Sequence, residues 1–323
     1  MLRVLLVVAA ALAANIQATA GASAQTYPQR TVKFILPFGP ASGTDITARL
    51  VADRLAARWG KPAVIENRPG GDGLVAINAF ISANDDHTLL WVPVGTFAVH
   101  PYDKEKLPYS AERDLIPVAG VSSLFLSVSV STALNVNSLR ELVELVRANP
   151  GKFNWATSNG NADFLMSGFL KSNGLEMAKV PYRDILQAPN DLAENRIQLL
   201  SSSLAIVTPL MQSGKVKVLA VTGRRRAPST PDVPTVIEAG YPALVMESIG
   251  GILGPRGMPL ATREQIAADV RAAVASDPTI ATKLEATGQI VDVRGPEQFA
   301  EGIKELNDQL AGIAKVLGMK AAQ

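Results

Sequence analysis

Short apolar runs and amphipathic helical segments alternate along almost the whole chain, and this alternation restricts the fold to the α/β class. The clearest unit runs from Thr31 to Gly60. Its first part, Thr31 to Phe38, is β-branched and apolar with little alternation, as in a parallel strand covered on both faces. Pro37 ends this strand because proline cannot donate to a sheet ladder. Apolar residues then recur at helical spacing from Ile46 to Trp59. The unit is therefore predicted to be a strand, a turn and a helix.

The turn of this unit consists of small residues and leads into the helix. Ser42 or Thr44 can cap the helix, and Asp45 lies in its first turn. Free N–H groups at a helix N-terminus, beside the positive end of the helix dipole, can bind an anion. The segment lacks the P-loop and GxGxxG patterns, so a small carboxylate fits better than a nucleotide. The alternative is that glycine and serine here only complete the cap.

A second strand–turn–helix unit, Asn154 to Leu170, mirrors the first, and its turn is also small, polar and glycine-containing. In open α/β sheets, ligands bind outside the carboxyl ends of the strands. Two such turns facing each other across a cleft would each offer N–H groups to one end of a ligand. A chain of 323 residues also exceeds one usual core, so two domains are expected.

Composition excludes several function classes. The net charge of +2 is too small to indicate nucleic-acid binding, and the chain has no cysteine to act as a nucleophile. The two histidines, His87 and His100, are too few for a convincing zinc site. The first turn lacks the GxSxG pattern of a hydrolase nucleophile elbow. We therefore predict no enzyme activity, no catalytic residue, no cofactor and no metal.

The N-terminal residues 1–24 have the pattern of an export signal. Arg3 precedes the apolar run Val4 to Ala14, which is too short to span a membrane. Ala22-Ser23-Ala24 is a small-x-small cleavage site, so Gln25 would begin the mature chain. No later segment is apolar for long enough to span a membrane. We predict a periplasmic protein that is not embedded in the membrane.

Several motifs, in order and at matching spacing between about Tyr27 and Leu317, resemble the Bug-type extracytoplasmic solute receptors of tripartite tricarboxylate transporters. The segments that carry the resemblance are PFGPASGTDITARL, VIENRPGGDG, HTLLWVPVGTFAVHP, LPYSAERDLIPVAGV, VPYRD and VKVLAVTGRRRAPSTPDVPTVIEAG. The resemblance implies a monomeric, two-lobed periplasmic binding protein of the type II Venus-flytrap topology, each lobe a mainly parallel sheet flanked by helices. Lobe 1 would comprise residues 25–123 and 246–323, and lobe 2 residues 124–245.

The resemblance also implies a function, which is to capture a small organic carboxylate and deliver it to membrane transporter subunits. A receptor that presents its ligand to a membrane sensor kinase is an alternative that the sequence leaves open. Backbone amides and small hydroxyls of the two turns would hold the carboxylate. The predicted ligand-binding residues are Phe38, Gly39, Ala41, Ser42, Gly43, Thr44, Asp45, Thr96, Thr157, Ser158, Asn159, Gly160, Asn161, Tyr182, Arg183 and Ser202.

Some of these positions also have a purely structural interpretation. Asp45 can cap its own helix, and Arg183 can form a surface ion pair instead of facing the pocket. Relative to the family pattern, Phe164 stands where a histidine is usual and Gln198 where an acidic residue is usual. Fewer acidic groups near the pocket, together with Arg183 if it faces the pocket, would favour an organic acid over an amino acid.

Overall fold

The computed structural model describes residues 27–157, 160–182 and 184–321. The described strands form one sheet of six strands and one of five. In chain order the strands are β1 (Val32–Leu36), β2 (Ala63–Asn67), β3 (Thr88–Pro93), β4 (Ile116–Leu124), β5 (Leu126–Ser131), β6 (Phe153–Thr157), β7 (Met177–Lys179), β8 (Leu199–Ser203), β9 (Val216–Val221), β10 (Ser248–Gly254) and β11 (Gln289–Arg294). The predicted export signal lies outside the described residues.

Helices cover both sheets. They are α1 (Gly43–Trp59), α2 (Leu74–Ala83), α3 (Gly95–Ala98), α4 (His100–Asp103), α5 (Ala111–Asp114), α6 (Leu139–Ala148), α7 (Asn161–Ser172), α8 (Ala188–Ala193), α9 (Leu204–Gln212), α10 (Leu260–Ala275), α11 (Thr279–Ala286) and α12 (Pro296–Leu317). None of the helices in the described part of the chain combines the length and apolarity needed to cross a membrane. The predicted architecture of two α/β units is confirmed.

Both sheets follow one plan, in which an antiparallel strand is inserted among parallel ones. The strand orders are β11-β4-β10-β3-β1-β2 and β7-β6-β8-β5-β9. In the first sheet β1 pairs parallel with β2 and β3, whereas β10 lies antiparallel between β3 and β4. In the second sheet β6 pairs parallel with β7 and β8, whereas β5 lies antiparallel between β8 and β9. The sheets are therefore mixed, although most strands of each run in one direction.

The inserted strands lie where the chain passes between the sheets. β4 ends at Leu124 in the first sheet, and β5 begins at Leu126 in the second, so only Phe125 separates them. The chain leaves the second sheet after β9 and returns to the first in β10, which begins at Ser248. Because each passage continues into a strand without a crossover helix, that strand enters against the direction of its neighbours. The domain boundaries given above stay a prediction.

The packing on both faces of β1 explains why its sequence is apolar without alternation. Val32, Phe34 and Leu36 pack into the cluster that contains apolar residues of α1 and α10. Ile35, which points to the other face, packs into the cluster that contains Phe80 of α2. Since helices cover both faces, four of the five positions of the strand are buried, and only Lys33 is partly exposed.

The last helix, α12, packs on elements of both sheets. A methyl group built on Gly302 would overlap the side chain of Ile249 in β10. Further along the helix, Ile313 Cγ2 would lie 2.7 Å from a methyl group on Gly168 of α7. Lys171 Nζ of α7 also donates to the Leu317 carbonyl at 3.2 Å. α12 therefore joins the second sheet's α7 to the first sheet.

Candidate functional site

A cleft of about 860 Å³ lies at the carboxyl ends of strands from both sheets. On one side it is lined by Phe38, Gly71 and Thr96, which follow β1, β2 and β3. On the other side it is lined by Asn161, which follows β6, and by Ser202 near the end of β8. Ligands of open α/β sheets bind at this edge, and a cleft of this size holds a small molecule. We take this cleft as the candidate site.

Neutral hydrogen-bond donors from both sheets converge around Gly95. The Gly95 N–H donates to Ser248 Oγ at 2.9 Å. A methyl group built on Gly95 would lie 2.5 Å from Asn161 Nδ2 and 3.0 Å from Ser248 Oγ, so these groups crowd one point. Within the described part of the chain, the side chains of Asn161 and Thr96 make no hydrogen bond. These donors are therefore available to an acceptor in the cleft.

A glycine turn after β2 forms another part of the lining. Gly70, Gly71, Asp72 and Gly73 have φ values of 122°, 57°, 52° and 95°. Residues without a side chain adopt such values easily, which explains the run of glycines. A methyl group on Gly73 would also lie 2.7 Å from Thr96 Cγ2, so the turn packs directly on the next strand's end. The motif GGDG marks this turn in the sequence, but its residues are not among the predicted ligand-binding residues.

His100 supports the glycine turn from inside the protein. Its Nε2 lies 3.0 Å from the Asp72 carbonyl oxygen, and its Nδ1 lies 2.7 Å from the Tyr109 hydroxyl. A carbonyl only accepts, so Nε2 carries the hydrogen and Nδ1 accepts from Tyr109. Burial lowers the pKa of His100. The ring is therefore neutral and joins the cleft lining to the core beneath it.

Most residues of the first turn lie outside the cleft, although this turn was predicted to bind the ligand. Of its predicted residues only Phe38 lines the cleft, whereas six do not: Gly39, Ala41, Ser42, Gly43, Thr44 and Asp45. Ser42 Oγ accepts the Asp45 N–H at 3.2 Å and caps α1. The Gly43 carbonyl accepts from Gln289 Nε2 of β11 at 3.0 Å. The helix N-terminus thus packs against β11, which is the purely structural interpretation of this turn.

Asp45 is satisfied within the protein. Its side chain is 3% exposed. Its carboxylate accepts the Ala41 N–H at 2.9 Å, the Asn67 amide at 2.8 Å and the Arg49 guanidinium at 3.0 Å. Burial alone would raise the pKa of Asp45, but the hydrogen bonds from Arg49, Asn67 and Ala41 lower it. The carboxylate therefore stays charged as a structural brace.

The other predicted residues divide into three groups. Thr157 and Tyr182 do not line the cleft: Thr157 Oγ1 donates to the Ser201 carbonyl at 2.8 Å, and the Tyr182 hydroxyl donates to Asp191 at 2.6 Å. Burial, together with the Asp191 hydrogen bond, raises the pKa of Tyr182 to about 12. Thr96, Gly160, Asn161 and Ser202 line the cleft. Ser158, Asn159 and Arg183 lie outside the described residues.

The charged side chains of the described lining are acidic: Asp72, Asp103 and Asp163. Asp72 pairs with Lys104 at 2.6 Å, and Asp163 pairs with Lys179 at 2.7 Å. Neither lysine is among the described lining residues. The described lining therefore contains three acidic groups although Gln198 replaces one, and the preference for an organic acid over an amino acid stays a prediction.

One group of potential metal ligands occurs in the described part of the chain, at Asp85, Asp86 and His87. His87 Nε2 accepts the Gln29 N–H at 3.0 Å, so Nδ1 carries the hydrogen and donates to Asp86 at 2.7 Å. Asp85 accepts from Arg30 at 2.6 Å. Both imidazole nitrogens are thus engaged within the protein, and we assign no metal to this group.

The chain is similar to known proteins over most of its length. The model of the tripartite tricarboxylate transporter family receptor, TctC, matches residues 47–318. The chain is 30% identical over 295 residues to protein BugT of Bordetella pertussis, across 85% of this chain and 90% of BugT.

Solved structures resemble the chain over almost its whole length. A protein of Rhodopseudomonas palustris solved with adipate is 27% identical with a TM-score of 0.76, covering 91% of this chain and 99% of that chain. MatC from Rhodopseudomonas palustris with bound malate is 26% identical with a TM-score of 0.70, covering 90% and 99%.

Proposed function

Because this chain belongs to the tripartite tricarboxylate transporter receptor family, we propose that it captures a small organic carboxylate in the cleft between its sheets. It then delivers this ligand to the membrane subunits of a tripartite tricarboxylate-type transporter. The observation that carries the proposal is the convergence around Gly95 of neutral groups from both sheets, among which the Asn161 amide makes no hydrogen bond in the described part of the chain. The similar proteins solved with adipate and with malate support the same ligand class.

Neutral donors are sufficient to hold a carboxylate. Each carboxylate oxygen accepts hydrogen bonds from amide and hydroxyl groups, and such charge-assisted bonds are about twice as strong as neutral ones. The Asn161 amide, the Thr96 hydroxyl and the Ser248 hydroxyl are the donors that we assign to this role. Because they come from elements of both sheets, the carboxylate would bind most tightly when the two sheets are close together.

Ligand capture is thus coupled to closure. The chain passes between the sheets at Phe125 and in residues 222–247, and these passages would act as the hinge. A ligand that contacts both sides stabilises the closed arrangement by its difference in affinity for the two states. A membrane partner can then distinguish the loaded receptor from the empty one.

Titration calorimetry and thermal unfolding test the ligand class. We expect adipate or another simple carboxylate to bind and to raise the melting temperature by mass action, whereas glucose does neither. Asn161→Ala should weaken carboxylate binding about tenfold, the loss expected for one hydrogen bond to a charged group. Asn190→Ala, at an exposed position outside the cleft, is the matched control. Binding of a sugar but of no carboxylate would contradict the proposal.

We also propose that the chain works as a monomer in the periplasm after residues 1–24 are removed. N-terminal sequencing of the periplasmic fraction should begin at Gln25, and light scattering should give the mass of one chain. Retention of Met1, or recovery from the cytoplasm, would contradict export. Loss of carboxylate uptake in cells that lack this chain would support transport. Unchanged uptake with a lost sensor-kinase response would favour the alternative role.

A further inference from the structure

Hydrocarbon makes up much of the cleft surface outside the donor cluster. The two passages between the sheets supply part of it, through Leu124 and Leu126 on one passage and Met246 on the other. The remaining apolar side chains of the described lining come from both sheets and are Pro37, Phe38, Pro93, Val99, Phe164, Ile185 and Ile206. A ligand that fills the cleft must place most of its surface against these groups.

The described lining offers a compact polyacid no cationic partner, because its acidic side chains are paired with lysines that do not line the cleft. Asp72, Asp103 and Asp163 are acidic, and no arginine or lysine belongs to the part of the lining that the structure describes. A hydroxyl or carboxylate in the part of a ligand that lies against this hydrocarbon would lose its water without gaining a partner. Such burial of a polar group without a hydrogen bond costs several kcal/mol.

We propose that the acid bound here carries its carboxylate on a continuous hydrocarbon body, aromatic or unbranched, and is not a compact hydroxy acid. This inference rests on the proposed function, because it assumes that the donors around Gly95 hold a carboxylate. Ile206 is a specificity-determining residue in this account. It lies on α9 beside the second sheet and contacts the hydrocarbon body.

The expected effect of chain length follows from the hydrophobic effect. Each methylene group that moves from water into an apolar site improves the dissociation constant by about fourfold. Hexanoate should therefore bind about tenfold more tightly than butanoate, since two methylenes are added and the fit is not perfect. Citrate, which also has six carbons, should bind more weakly than both hexanoate and adipate.

Calorimetry of the mature chain with butanoate, hexanoate, adipate and citrate tests the inference. A dissociation constant that falls from butanoate to hexanoate, with citrate weakest, supports it. Citrate binding more tightly than hexanoate and adipate would overturn it while leaving the proposed carboxylate receptor intact. If none of the four acids binds, the proposed function itself fails, so the two failures are distinguishable.

A variant pair tests the role of Ile206. Ile206→Ala should remove most of the difference in affinity between hexanoate and butanoate. Ile237→Ala makes the same change at an exposed position outside the cleft and should keep the difference. If the gain from butanoate to hexanoate is equal in both variants, Ile206 does not select the hydrocarbon body. Circular dichroism and the urea midpoint verify that both variants are folded.

Discussion

Replacing Gly95 by alanine should hold the two sheets apart at the cleft without unfolding either of them. A methyl group at this position would lie 2.5 Å from Asn161 Nδ2 and 2.7 Å from Asn161 Cγ. Gly95 begins α3 after a strand of the first sheet, whereas Asn161 begins α7 beside the second. Gly95 is not among the residues with positive φ, so alanine fits its backbone conformation. The strain therefore comes mainly from the contact across the cleft, because Ser248 Oγ of the first sheet would lie farther away, at 3.0 Å.

The size of the effect follows from the cost of overpacking. One inserted methyl group in a well-packed site costs typically 1–3 kcal/mol. This cost arises only in the closed arrangement, because separation of the sheets removes the contact. The affinity for a ligand that requires closure should therefore fall by about 5- to 150-fold. The free energy of unfolding without ligand should change by less than about 0.5 kcal/mol.

Calorimetry with adipate measures the loss of affinity, small-angle scattering measures the separation of the sheets, and urea unfolding measures the stability. Gly39→Ala is the matched control, because no heavy atom lies within 4 Å of the methyl group it would add. In the Asn161→Ala background the contact is already gone, so Gly95→Ala should have little further effect. Full adipate affinity in the single variant, or an equal loss in both backgrounds, would refute the reasoning.

Three further predictions concern stability. Burial lowers the pKa of His100 in the folded protein. On acidification the unfolded chain therefore binds a proton at this histidine first. The free energy of unfolding should be constant above the ordinary histidine pKa of about 6.5 and fall below it. In His100→Gln the urea midpoint should change less between pH 7 and pH 5 than in the unchanged protein. An equal change of the midpoint in both proteins would contradict this. Asp45→Ala leaves buried donors unpaired and should lower the unfolding free energy by about 1–3 kcal/mol, with unchanged adipate affinity. A tenfold loss of adipate affinity would instead show that Asp45 takes part in ligand binding. Gly168→Ala should destabilise the packing of α7 on α12 by about 1–3 kcal/mol, and Ile313→Ala should relieve this in a double variant, as measured by urea unfolding.

Local sequence patterns predicted the elements more reliably than their positions. The unalternating apolar run around Phe34 predicted a strand with both faces covered, and helices do cover both. The segment from Ile116 to Ser131 is strand on both sides of Phe125, and its two parts belong to different sheets. The residue types of a strand depend on how deeply it is buried, and strands are buried to a similar extent in both sheets. The composition of a strand therefore does not show to which sheet it belongs.

In the candidate site, too, the sequence predicted some residues correctly but not how the elements are placed. Asn161 and Thr96 were predicted and line the cleft, whereas the first turn does not reach it beyond Phe38. The sequence indicated donors at the start of α1 but not that Gln289 would donate to the Gly43 carbonyl across 246 residues. Such a contact is set by how distant elements pack, and no local pattern encodes it.

By itself, the sequence determined the alternation of strands and helices, the α/β class and the family, because periodicity and motif spacing are properties of the chain alone. Only the tertiary structure decided that the GGDG turn, rather than the start of α1, lies at the cleft, and that Asn161 meets Gly95 from the opposite sheet. Several small polar turns can offer N–H groups, and only the packing of the sheets selects which of them share one space.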